Sequence, residues 1–302
     1  MSESYTGGAI EDIKTGLKFA IKNIPSFFLA MIGILLVTAI LLLAIVIVLI
    51  AGLVYTSPDG WWAFIGLLEF IAETFGNWPE PVVVGLAIII LLPLLGPLFV
   101  AIGALYGMAR EIVESEGTTA EGVFDWYSRR FFSLAGAGFA QFIVIFCPIW
   151  SMWIVGYRLL DGVIIGSDAD LLIGLSVLWG LLAVGALSMT FPAVIDGNSA
   201  LLSIGISMSM AKNHFGRIYV VWVSYFLMIL GLLAPLLWPR YYIHLDPIPY
   251  PVVATLLIVF VVIPAMAISQ SRIYLLFSGE DDQVLIDESH SDLPDTTLSG
   301  GM

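Results

Sequence analysis

The sequence predicts an all-α integral membrane protein with six transmembrane helices arranged as three hairpins, each preceded by a short cytoplasmic amphipathic helix. Three observations carry this reading. Of 302 residues, 60% are hydrophobic and only 12% charged, with a mean hydropathy of +1.01, a balance that does not describe a soluble domain of this length. Six apolar runs, at about 26–55, 82–109, 131–157, 171–195, 218–238 and 251–271, carry no Asp, Glu, Lys, Arg or His away from their ends. Polar segments ending in basic residues recur before the first, third and fifth runs. Residues 1–277 therefore read as one polytopic membrane domain, and 278–302 as a disordered acidic cytoplasmic tail.

Near the N-terminus Ile10, Ile13, Leu17, Ala20 and Ile24 recur at helical spacing, and Lys14, Lys18 and Lys22 form a stripe opposite them. Such a helix suits the membrane interface, with its ammonium groups among anionic headgroups. The plainer alternative is a topology signal ahead of the first span. Ser26 to Tyr55 is thirty residues without a charge, which at about 1.5 Å per residue exceeds a hydrocarbon core of about 30 Å, so it must tilt or project. It is also too long for the apolar core of a signal peptide and is expected to be retained. After the turn at Ser57-Pro58-Asp59-Gly60, Trp61 to Phe75 reads as a helix along the outer surface, with Glu69 and Glu73 on a solvated stripe.

The second run contains Gly103 and Gly107, a pair spaced to let another helix approach closely. Thr118 and Glu121 fit a capping box opening a short helix that ends at Arg129 and Arg130. The third run, interrupted by Pro148, carries Gln141, whose amide is expected to bond a neighbouring helix, and Arg158 stands at pairing distance from Asp161 if that helix continues. The fourth run ends in Asp196, Gly197 and Asn198, a turn signal with Asn198 available as N-cap of a further short helix. Lys212 and Arg217 bracket the entry of the fifth run, and a loop rich in proline and aromatics, Pro239 to Tyr250, leads into the sixth.

Placing the N-terminus, the 110–130 and 212–217 segments and the C-terminus on one side puts nine of the eleven basic residues there. The expectation is a multi-pass protein of the cell membrane with both termini cytoplasmic. The 24 acidic residues against 11 basic ones argue against nucleic acid as a partner. They also match a lever used by salt-adapted proteins, so a halophilic source implies stability that rises between low and molar KCl. Cys147 is the single cysteine, and His214, His244 and His290 are scattered, which leaves no pattern for a metal site. No GxxxxGK[ST], GxSxG or HExxH motif occurs, and neither catalytic residues nor cofactors are expected.

The segments 9–109, 118–195 and 198–277 read as three copies of one unit, with Lys22-Asn23 matching Lys212-Asn213 and Arg129-Arg130 in the middle copy. In Phe191-Pro192-Ala193-Val194-Ile195-Asp196-Gly197, the following Ser207 to Asn213, and Gly117 to Phe132, the chain resembles the membrane-domain family found beside bacterial glycerophosphoryl diester phosphodiesterase domains, and related stand-alone six-helix proteins of unknown role. The resemblance extends over about residues 10–277. It implies a membrane-embedded helical module and supplies no catalytic residue. The expected function is non-enzymatic, a lipid-binding or scaffolding module whose partners are membrane lipids and other membrane proteins. Lys14, Lys18, Lys22, Arg129, Arg130, Lys212 and Arg217 are the candidate contacts to anionic lipid or to an acidic partner segment. The alternative is a permease for an apolar or lipid-like substrate, for which the prolines of the later spans would provide broken, mobile helices. Oligomeric state is not encoded in any pattern of the sequence.

Overall fold

The computed structural model describes residues 5–56, 59–76, 81–115, 120–160, 166–237 and 250–291. These are helical almost throughout: α1 (Tyr5–Lys22), α2 (Ile24–Thr56), α3 (Gly60–Gly76), α4 (Pro81–Ser115), α5 (Ala120–Arg129), α6 (Phe131–Leu159), α7 (Ser167–Ala186), α8 (Thr190–Ile195), α9 (Ala200–Asn213), α10 (Phe215–Leu237), α11 (Tyr250–Leu257) and α12 (Ile263–Ser291). A π-helical turn, Ile258–Val262, joins α11 to α12. Pro264 follows it and has no N–H to return to the carbonyl four residues back, so the backbone there must find another pattern. Six segments are long and apolar enough to cross a membrane: Ile24–Gly52, Leu95–Ser115, Phe131–Leu159, Ser167–Ile195, Phe215–Pro235 and Tyr250–Gly279. The chain is an all-α, multi-pass membrane protein.

Each short helix passes into a long apolar one through a single residue. Asn23, Arg130 and His214 are these joints, and each closes the hydrogen-bond ladder of one helix and opens that of the next. Their own N–H groups donate to the carbonyls of Phe19 at 3.0 Å, Trp126 at 3.3 Å and Met210 at 2.8 Å, and their carbonyls accept from Phe27, Leu134 and Ile218. Arg130 and His214 share φ near −120° and a small positive ψ, so one helix ends and the next begins at a single non-helical residue. The third joint is one residue later than the Lys212-Asn213 match implied, because α9 continues through Asn213. Burial recurs in register with the joints. Three residues before them stand Ala20, Tyr127 and Ala211, seven before them Gly16, Val123 and Ser207, and four after them Phe27, Leu134 and Ile218, all buried.

The short helices pack in a cyclic order. α5 lies against α2 and α4, α9 against α6, α7 and α8, and α1 against α10 and α12 at the far end of the chain. α4, α8 and α12 also meet one another. Gly103 and Gly107 make the close approach their spacing suggests, the first against Leu134 of α6 and the second against Trp126 of α5.

The face that α1 buries matches the one its apolar spacing indicated only in part, with Ile13 and Leu17 half-buried against the core. Ala9, Asp12, Gly16 and Ala20 are buried, while Ile10 and Ile21 are 50% and 58% exposed on the side that carries Lys14 and Lys18. Small residues win the inner face because α12 comes so near: a Cβ on Gly16 would sit 2.1 Å from Ser269 Oγ and 2.6 Å from the Ala265 carbonyl oxygen. The turn after α8 also differs. Gly197 takes φ +110°, a conformation glycine tolerates best, and Asn198 Nδ2 donates back to the Ala193 carbonyl at 3.0 Å. Asn198 thus closes α8, and Ser199 occupies the N-cap position of α9. The last helix is described as far as Ser291. Thr118, Asp161 and most of the 239–250 loop lie outside the described residues, and with them the capping box and the Arg158 pairing.

Candidate functional site

Three polar arrangements stand out where the helices converge. The first is built on Asp12, whose side chain is wholly buried. Arg217 Nε donates to its Oδ2 at 2.7 Å and Arg217 Nη2 to its Oδ1 at 3.1 Å. Arg272 Nε lies 3.5 Å from the same Oδ1, and Arg272 also donates to Thr15 Oγ1 at 2.7 Å and Glu11 Oε1 at 3.0 Å. Behind the pair, Ser269 Oγ donates to the Asp12 carbonyl at 2.9 Å and lies 2.8 Å from the Tyr225 hydroxyl. His214 stacks on Phe277 with ring centres 3.6 Å apart, and the Arg217 guanidinium carbon is 5.5 Å from the centre of the same ring. Two planar cations held against one carboxylate in this way act as a lock between helices.

The second arrangement lies where α4, α8 and α12 meet. Arg110 donates to Asp196 at 2.6 Å and to Glu114 at 2.8 Å, and the Tyr274 hydroxyl donates to the other oxygen of Asp196 at 3.1 Å. Below it the Tyr106 hydroxyl donates to Gln270 Oε1. Only about 10 Å³ is left between Tyr106, Arg110, Pro192, Ser271 and Tyr274, room for one water at most. The third arrangement repairs the break between α7 and α8. Ser207 Oγ donates to the Ala186 carbonyl at 2.7 Å and accepts from the Met189 N–H at 3.0 Å. Gln141 Nε2 donates to the Leu187 carbonyl at 2.9 Å, the bond to a neighbouring helix expected of it. Backbone groups freed within a bilayer need such partners, since no water supplies them.

The seven candidate basic residues divide. Lys14, Lys18, Lys22, Arg129 and Lys212 are exposed and Arg130 is half-buried; the Arg130 guanidinium lies beside Gly197. Arg217 faces inward instead and is held by Asp12, because α1 brings a buried carboxylate to the start of α10. On α5, Trp126 Nε1 donates to Glu111 Oε1 of α4 at 2.8 Å, and burial pushes the Tyr127 phenol above its ordinary value. Cys147 is exposed. Among the described residues no three His, Cys, Asp or Glu side chains gather as a metal site.

Sequence reasoning missed Asp12, Arg110 and Arg272 as partners. One signal was available for Asp12: it stands four and eight residues before Gly16 and Ala20, so the three share a face too small and too polar to point into lipid. Arg110 and Arg272 offered no local signal, since their partners lie elsewhere in the chain. No protein-family model, curated protein or solved structure matches the chain.

Proposed function

We propose that this protein is a non-enzymatic membrane module of three repeated units, whose short helices form a basic collar that holds anionic lipid headgroups at the cytoplasmic face of the cell membrane. The observation that carries the reading is the division of the arginines and lysines. Arg110, Arg217 and Arg272 are committed to carboxylates, whereas Lys14, Lys18, Lys22, Arg129, Arg130 and Lys212 have no ion pair among the described residues. The free cations sit on or beside short helices that also expose large apolar side chains, Ile10 and Ile21 on α1, Phe124 on α5, Leu201 and Met208 on α9. A helix offering both suits the boundary between acyl chains and headgroups. Each basic residue there is worth about 1 kcal/mol toward an anionic surface, so several acting together retain lipid through purification.

Native mass spectrometry of the purified protein tests this. Anionic lipid should remain bound to the wild type and be lost when Lys18, Arg130 and Lys212 are all changed to Gln; equal retention by the variant would leave the collar no role beyond setting orientation. A second reading, a permease for a lipid-like substrate, draws on one observation. Between α6 and α7 an apolar groove of about 490 Å³ is lined by Met152, Val155, Leu159, Leu171 and Leu172, with Ser151 and Asp168 beside them. Transbilayer movement of a labelled lipid in reconstituted vesicles, absent from protein-free ones, would favour it. Ion coupling is not part of either reading, because the freed groups of the α7–α8 break named above are already bonded to Ser207 and Gln141.

A further inference from the structure

The three short helices dock alike but are tethered unlike. α5 follows α4, against which it packs, after residues 116–119, and α9 follows α8 after residues 196–199. A tether of about four residues keeps each helix at high effective concentration beside its acceptor, so modest contacts suffice to hold it. α1 has no such tether. Its acceptor helices belong to the other end of the chain, 205 residues away at the Asp12 to Arg217 bond and 257 away at Ser269. Among the described residues, this untethered contact is where a wholly buried carboxylate meets two arginines. At the matching place on α9, eleven residues before the joint, stands Ser203, whose hydroxyl bonds only the Ser199 carbonyl at the start of its own helix.

We infer that α1 is a charge-held clasp: it occupies a helix-accepting surface on α10 and α12, its Asp12 carboxylate supplies the hold that chain connectivity supplies elsewhere, and this contact is where the cyclic packing opens. The surface beneath it carries Arg217 and Arg272 at one end and the Tyr225–Ser269 pair with Ala265 farther along, facing Gly16. It is shaped for an amphipathic helix with a carboxylate and, four residues on, a residue with no side chain. The N-terminal helix of this chain has both. Its own unit contributes little to keeping it in place, since α1 packs mainly on α10 and α12 and turns into α2 through one joint residue, Asn23.

The test uses the full chain in lipid nanodiscs with Cys147→Ser and one reporter cysteine, either Ala20→Cys on α1 or Val123→Cys on α5, both at wholly buried positions. The rate of modification by a soluble thiol reagent reads how often each helix lifts. Asp12→Asn should speed the Ala20 reporter about tenfold, the change that a loss of about 1.4 kcal/mol of docking gives, and leave the Val123 reporter within about twofold. Joining the C-terminus to the N-terminus and opening new ends within 116–119 ties α1 to α12 and frees α5 from α4. In that permutant Asp12→Asn should change the Ala20 reporter by less than about threefold, because the tether now returns the helix. The inference is overturned if Asp12→Asn leaves the Ala20 reporter unchanged, speeds both reporters equally, or keeps its full effect in the permutant.

Discussion

Orphaning the buried member of the Asp12 cluster should cost more than removing it. Asp12 is wholly buried, whereas the Arg217 and Arg272 side chains keep 20% and 25% of their surface exposed. Arg217→Gln strips the carboxylate of its contacts at 2.7 and 3.1 Å and leaves one cation at 3.5 Å. Breaking a buried pair in this direction costs about 3–5 kcal/mol, and the remaining Arg272 places the expectation near the lower figure, about 3 kcal/mol. Asp12→Asn leaves two guanidinium groups that are partly exposed, one of them still bonded to Thr15 and Glu11, and should cost about 1–2 kcal/mol. Thermal unfolding followed by tryptophan fluorescence in one detergent should rank wild type above Asp12→Asn above Arg217→Gln. At about 2–4 °C per kcal/mol the two variants should differ by several degrees. The double variant should be no less stable than Arg217→Gln alone, since it removes the stranded charge. If Asp12→Asn melts at or below Arg217→Gln, or the double variant loses the sum of both effects, the carboxylate is not the buried, dependent partner.

Gly16→Ala should lower the melting temperature even though alanine favours a helix by about 1 kcal/mol, because the new Cβ would meet the Ala265 backbone oxygen at 2.6 Å; an unchanged or raised midpoint would contradict the close packing of α1 on α12. Ser207→Ala takes a partner from both the Ala186 carbonyl and the Met189 N–H and should cost about 2 kcal/mol or more. Ser203→Ala, whose lost bond ends on a carbonyl already accepting from the Ser203 N–H, should stay within about 0.5 kcal/mol, and equal losses in a chemical-denaturation series would remove the bridging role of Ser207. In a Cys147→Ser background, cysteines placed at Ser2 and Ser299 should resist an impermeant thiol reagent in intact cells while one at Thr74 is labelled. Labelling at either terminus reverses the orientation.

What the sequence determined by itself is the six spans and the short helices ahead of three of them, though not the breaks that divide α7 from α8 and α11 from α12. A bilayer leaves the backbone no partner but itself, so uncharged runs of sufficient length could only be helices. The 3.6-residue period of α1, the capping and turn signals ahead of α5 and α9 and the basic ends of all three likewise marked the short helices. Gln141 was legible for the same reason, since a carboxamide inside a span must find a carbonyl, and it does at Leu187. The tertiary structure alone decided which charges are free. Arg217 looked like Lys212, a cation at the mouth of a span, until α1 brought Asp12 to it from 205 residues away. Asp12 was given no role until α12 covered its face. Arg110 and Asp196, 86 residues apart, read as an exit charge and a turn residue and are one ion pair. Helical periodicity arises from neighbours three and four residues away and is written locally, whereas the occupancy of a charge depends on which distant helix lies against it, and no local pattern carries that.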